Sequence, residues 1–141
     1  MVDLINKSLF YTNISGETKE IILKNICERV SETINISSNL YSEILKRERL
    51  FSTELGNLVA FPHPLDYTGN KTFISITILE KQIKWNNLNV QVIVLVAIAN
   101  KDTKNLQDFY SDFVDFVNDE KRILNLIKEP SFNNLLKQFD I

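Results

Sequence analysis

The sequence predicts an α/β protein of three layers, with a mixed sheet of four to five strands and helices on both faces. Three observations carry that expectation. Apolar residues recur at helical spacing in the first third of the chain and again in the last third. Between them, Thr72 to Leu79 alternates, with Ile74, Ile76 and Ile78 on one face and Phe73, Ser75, Thr77 and Leu79 on the other. Val92 to Ile98 is an uninterrupted run rich in β-branched residues, the pattern of a central strand buried on both faces.

The elements follow in order. Gly16-Glu17 opens a helical pattern in which Ile22, Ile26, Val30 and Ile34 recur every four residues, with Ser15 as the expected N-cap. Glu17 and Glu20 suit the positive end of that helix dipole. A second helix is expected over 38–49, with Leu40, Tyr41, Ile44 and Leu45 inward and Lys46, Arg47 and Arg49 at its C-terminal end. Leu58 to Phe61 reads as a short strand stopped by Pro62. After the alternating strand, Ile83-Lys84-Trp85 reads as a separate short strand before the polar turn Asn86-Asn87. Helical spacing returns at Leu106, Phe109, Tyr110, Phe113 and Val117, then around Ile123 to Ile127. A last helix follows Pro130, capped by Ser131.

The bulk properties bound the function. At 141 residues the chain fits one domain, 1–141, with 44% hydrophobic and 24% charged residues. A formal charge of -2, without basic clusters, gives no electrostatic reason to expect direct nucleic-acid binding. The N-terminal residues lack the pattern of a signal peptide, and the longest apolar run is far short of a membrane span. One cysteine, Cys27, excludes an internal disulfide and fits a reducing compartment; the expected location is the cytoplasm.

The chemical inventory is short. One histidine, His63, and one cysteine leave too few soft ligands for a zinc site, and no glycine-rich phosphate loop or Gly-X-Ser-X-Gly elbow is present. No metal and no cofactor is therefore expected. Cys27 lies beside Ile26 and Val30 on a helix and reads as an inert, partly buried thiol. His63 stands out through its setting, Phe61-Pro62-His63-Pro64. Each proline pushes the preceding residue out of the α region, so the backbone around the imidazole is held extended just past a strand end. In open α/β sheets that is where reacting groups gather. A loop histidine that only bonds locally fits the same residues.

The segment from Arg47-Glu48 through Thr53-Glu54-Leu55-Gly56 and Leu58-Val59-Ala60-Phe61 to Pro62-His63 resembles the signature of IIA components of the bacterial sugar phosphotransferase system, mannitol–fructose class. There, an Arg-Glu pair precedes a Thr-X-Leu-Gly element, a short apolar strand and Pro-His, and Arg47 keeps the family's spacing to His63. The resemblance covers roughly residues 8–139. It implies that His63 accepts a phosphoryl group from the phosphohistidine of the carrier HPr. Imidazole suits this role because its ordinary pKa near 6.5 leaves a neutral nitrogen at neutral pH. It also implies that Arg47 stabilises the equatorial phosphoryl oxygens, which a guanidinium fork does well. Arg49 reads as a surface charge; Thr53 and Gly56 read as shaping the approach to the strand.

Two departures from the family pattern matter. Many members carry a second histidine where this chain has Asn105, which can hydrogen-bond but carries no charge and can equally cap the following helix. Pro64 stands where transport members more often have glycine. With Lys84-Trp85 and the strand from Gln91, these features are closer to the IIA-like domain that ends bacterial transcriptional antiterminators and activators. The expectation is a regulatory phospho-acceptor domain, with HPr as donor and RNA- or DNA-binding modules outside this chain. The alternatives are a transport component that passes phosphate to a IIB domain, and a partner-binding domain that is not phosphorylated.

Overall fold

The computed structural model describes residues 4–102 and 106–139. In chain order its elements are β1 (Phe10–Tyr11), α1 (Lys19–Ser31), α2 (Leu40–Leu50), β2 (Glu54–Gly56), β3 (Val59–Ala60), β4 (Phe73–Lys84), β5 (Asn89–Ala97), α3 (Gln107–Val117), α4 (Glu120–Lys128) and α5 (Phe132–Gln138). The strands form one five-stranded sheet in the order β1-β4-β5-β3-β2. β4 and β5 are antiparallel neighbours, β1 joins β4 in parallel, β3 joins β5 in parallel, and β2 returns antiparallel to β3. The sheet is mixed, as expected, and its strand count is the upper of the two anticipated.

The alternation read in the sequence divides the core into two. Ile74, Ile76 and Ile78 of β4 and Val92, Val94 and Val96 of β5 pack with Phe109, Phe113 and Phe116 of α3 and with Ile123, Leu126 and Leu135 of α4 and α5. Phe73 and Leu79, with Ile93 and Leu95, pack on the other side with Ile22, Ile26 and Val30 of α1 and Ile44 of α2. Each such side chain taken from water contributes about 1.5–3 kcal/mol, so the sheet holds a helical layer on either face.

Some boundaries differ from the sequence expectation. α1 is capped by Thr18, whose Oγ1 accepts from the Ile21 N–H at 3.3 Å, and not by Ser15. Ser15 instead presents its carbonyl to Asn25 Nδ2 at 2.7 Å. Ser131 caps α5 as expected, accepting from the Asn134 N–H at 3.1 Å. The two strands anticipated over 72–79 and 83–85 are one strand, β4, whose register with β5 shifts between Ile78 and Ile83. Its residues Glu80 to Gln82 are exposed. They are polar because they face water, not because the strand ends. β1 and β2 were not foreseen.

The β2–β3 connection brings the chain to the site. Gly56 has φ +104 and is followed by Asn57 and Leu58 at φ 49 and 68, a left-handed run that glycine opens without steric cost. The Leu58 carbonyl then accepts from Gln91 and Val92 at 2.8 and 2.9 Å, which starts β3 in register beside β5.

Candidate functional site

β3 ends because proline follows. Ala60 pairs with Ile93, the Phe61 N–H donates to the Thr53 carbonyl at 3.0 Å, and the Pro62 carbonyl accepts from Val96 at 3.1 Å. The backbone is thereby delivered past the sheet edge with His63 half-exposed between two buried prolines. His63 Nδ1 lies 3.0 Å from the Phe61 carbonyl oxygen. A carbonyl can only accept, so Nδ1 carries the proton and, in the neutral ring, Nε2 keeps its lone pair.

His63 lines a cleft of about 270 Å³ together with Phe61, Pro64, Tyr67, Ile98 and Tyr110. The Phe61 ring sits against the imidazole at 5.7 Å between centroids and against Phe113 at 4.6 Å. Tyr110 approaches Phe61 edge-on at 6.5 Å. Burial raises the Tyr110 phenol above its ordinary value, so at neutral pH its hydroxyl is a neutral donor.

Arg47 lies in the last turn of α2, and its guanidinium Nη1 donates to the Phe51 carbonyl just past the helix end. It is half-buried, whereas Arg49 is exposed. Arg47 follows Glu43 by one helical turn on the same face of α2, and Glu43 touches the segment after His63: its carbonyl accepts from the Leu65 N–H at 3.0 Å and its carboxylate from the Asp66 N–H at 3.1 Å. The His63 loop and the Arg47 face of α2 are therefore neighbours, although Arg47 is not among the residues lining the cleft. Asn105 lies outside the described residues; α3 begins beyond it, with Leu106 in the cap position and no side-chain cap.

The glutamate beside Arg47 has a different job. Glu48 is buried, with its side chain 2% exposed, and it accepts from Trp85 Nε1 at 2.9 Å, from the Thr53 N–H at 3.4 Å and from the Thr53 hydroxyl. Lys19 Nζ lies 3.5 Å away. Thr53 is thus spent on Glu48, and with Gly56 it shapes the approach to β3, as expected from the sequence. Cys27 is buried, and burial pushes its thiol up to about 12, which leaves it unreactive at neutral pH. Among the described residues no group of three or more His, Cys, Asp or Glu side chains is placed to hold a metal ion.

Over residues 3–140 the sequence matches the family described as phosphoenolpyruvate-dependent sugar phosphotransferase system, EIIA 2. The chain belongs to that family. It is a IIA-like domain of the phosphotransferase system, similar to regulators and to transport components. It is 29% identical to the probable licABCH operon regulator of Bacillus subtilis over 96% of this chain and 21% of that protein. It is 23% identical to the mannitol-specific phosphotransferase enzyme IIA component of the same organism, over 99% of this chain and 98% of that one. The chain thus spans about a fifth of the regulator and nearly the whole of the transport component. In fold it superposes on enzyme IIAMtl of Escherichia coli, solved in complex with phosphorylated enzyme IIBMtl, with a TM-score of 0.78 at 16% identity over 96% of both chains.

Sequence reasoning missed two residues around His63. Tyr110 shares the helical spacing of Phe109 and Phe113, but it lies at the edge of that stripe, 41% exposed, and lines the cleft. Glu43 gives no sign of this role in the sequence, because apart from Lys46 one turn on its partners are backbone N–H groups of a distant loop.

Proposed function

We propose that this IIA domain accepts a phosphoryl group on Nε2 of His63 from the phosphohistidine of an HPr-type carrier. The Nδ1–Phe61 carbonyl contact carries the reading, because it orients the ring and leaves Nε2 as the nucleophile. In the transfer the donor's N–P bond breaks as the Nε2–P bond forms. The ring becomes cationic as it gives up its lone pair, and the Phe61 carbonyl stabilises the Nδ1–H of that cation. Arg47, released from the Phe51 carbonyl by a small side-chain rotation, supplies charge to the equatorial oxygens. No described helix is long and apolar enough to cross a membrane, and the reading places the domain in the cytoplasm, where such carriers work.

The test is incubation with phosphoenolpyruvate, enzyme I and HPr. One acid-labile phosphoryl group should be taken up, and His63→Ala should take up none. Label retained by His63→Ala would refute the assignment, since the chain has one histidine.

Within that reading we favour a regulatory domain, attached in the whole protein to nucleic-acid-binding modules, on the similarity to the operon regulator and on Asn105. An uncharged amide at that place would let His63 accept phosphate while doing less to tune its onward transfer. The similarity to a mannitol IIA component supports the second reading, a transport component that hands phosphate to a IIB domain. Phosphorylated wild type and Asn105→His, presented to a panel of IIB domains, separate the two. Rapid transfer by wild type, unchanged in Asn105→His, would favour transport.

A further inference from the structure

Two prolines deprive the His63 segment of its nearest backbone donors, so neighbouring residues must hold it. Upstream, the tie is to the sheet, through Phe61 to Thr53 and Val96 to Pro62. Downstream, the first two N–H groups after His63 belong to Leu65 and Asp66, and both go to one residue. Leu65 donates to the Glu43 carbonyl at 3.0 Å and Asp66 to Glu43 Oε1 at 3.1 Å. The side chains of Leu65 and Asp66 are themselves exposed, so their burial does not anchor the loop.

Glu43 is built for such a role. It is 6% exposed, and its second oxygen is held by Lys46 at 2.7 Å, which fixes the carboxylate and offsets its charge. One turn further along the same face stands Arg47. The carboxylate therefore joins the loop that carries His63 to the helix face that carries Arg47.

We infer that Glu43 is a positioning residue for phosphoryl transfer, whose carboxylate sets the His63 loop against the Arg47 face of α2. The inference rests on His63 being the acceptor. Glu43 touches no reacting atom; it acts through the peptide of Asp66 and the cleft wall that follows it. Transfer that depends on in-line approach is sensitive to such placement, and a misplacement of about 1 Å costs about 10²-fold in rate.

Two substitutions of similar size separate positioning from packing. Glu43→Gln keeps an oxygen that can accept from the Asp66 N–H; Glu43→Leu fills the space and cannot. With the whole chain, at a temperature below the melting point of both variants, the rate of phosphoryl uptake is followed against the concentration of phosphorylated carrier. Glu43→Leu should lower the saturating rate by about 10²-fold with the half-saturating carrier concentration unchanged, and Glu43→Gln should restore most of it. Equal rates for the two variants, or a change carried by the half-saturating concentration, would overturn the inference. His63→Ala run alongside keeps the questions apart: label there refutes the acceptor assignment, whereas its loss together with normal rates in Glu43→Leu refutes only the role of Glu43.

Discussion

Replacing Glu48 by alanine should destabilise the domain severely. The carboxylate is buried and serves Trp85 Nε1, the Thr53 hydroxyl and Lys19 at once. Trp85 and Thr53 are 3% and 5% exposed, so water cannot take over without the structure opening. A buried donor left unsatisfied costs about 1–3 kcal/mol, and breaking a buried ionic cluster by removing one member costs about 3–5 kcal/mol in all. The unfolding entropy, about 2.1 cal/mol/K per residue, is about 0.3 kcal/mol/K over 141 residues, so Glu48→Ala should lower Tm by about 10–17 °C. Circular dichroism melting of wild type, Glu48→Ala and Glu48→Gln measures this, with glutamine losing less because its oxygen can still accept from Trp85. A shift below about 3 °C, or less than about 1 kcal/mol by the same conversion, would mean that the cluster is solvated and that the Arg-Glu pair owes its glutamate to something other than this staple.

Arg47→Ala should slow phosphoryl uptake by up to about 10²–10³-fold, the loss seen when a donor to a developing anion is removed, while Arg49→Ala leaves the rate near wild type; equal small effects in a rapid-quench assay would remove Arg47 from the site. Glu54 contributes stability that depends on pH. Partial burial raises its carboxyl, but N–H donors from Leu88, Asn86 and Asn87 outweigh this and hold it below its ordinary value. Its contribution is therefore fully present above the ordinary carboxylate range and is lost as pH falls through the depressed folded value. Urea midpoints should separate wild type from Glu54→Gln at pH 7, and the gap should narrow as pH falls below the ordinary carboxylate range.

Where the sequence could be read and where it could not follows from what each element depends on. The buried stripes of α1 and α3 and the faces of β4 and β5 are local periodicities, so Ile22-Ile26-Val30 and Ile74-Ile76-Ile78 announced themselves. β1 is two residues long and exists only because Phe10 meets Ile76, a pairing that no local window contains. β2 carries no apolar alternation; Glu54-Leu55-Gly56 is a strand because β3 needs a partner on its open side. At the candidate site, His63 is marked in the sequence by Pro62, Pro64 and the segment back to Arg47. Tyr110 was absorbed into a helical stripe, and Glu43 acts on backbone groups, which all residues share and which therefore leave no mark on the sequence around them.

The sheet order also governs how the molecule assembles in time. β4 and β5 are joined by the turn at 85–88 and pair along nearly their whole length, so this hairpin closes a short loop and can form first. β3 must then find Val92 from Val59, and β1 must find Ile76 from Phe10, each waiting on a longer closure that contributes nothing until the hairpin exists. Because β3 runs directly into Pro62 and His63, the His63 loop is set only once that second, parallel closure has occurred. A chain arrested after the first step would hold a native-like hairpin and have no competent site.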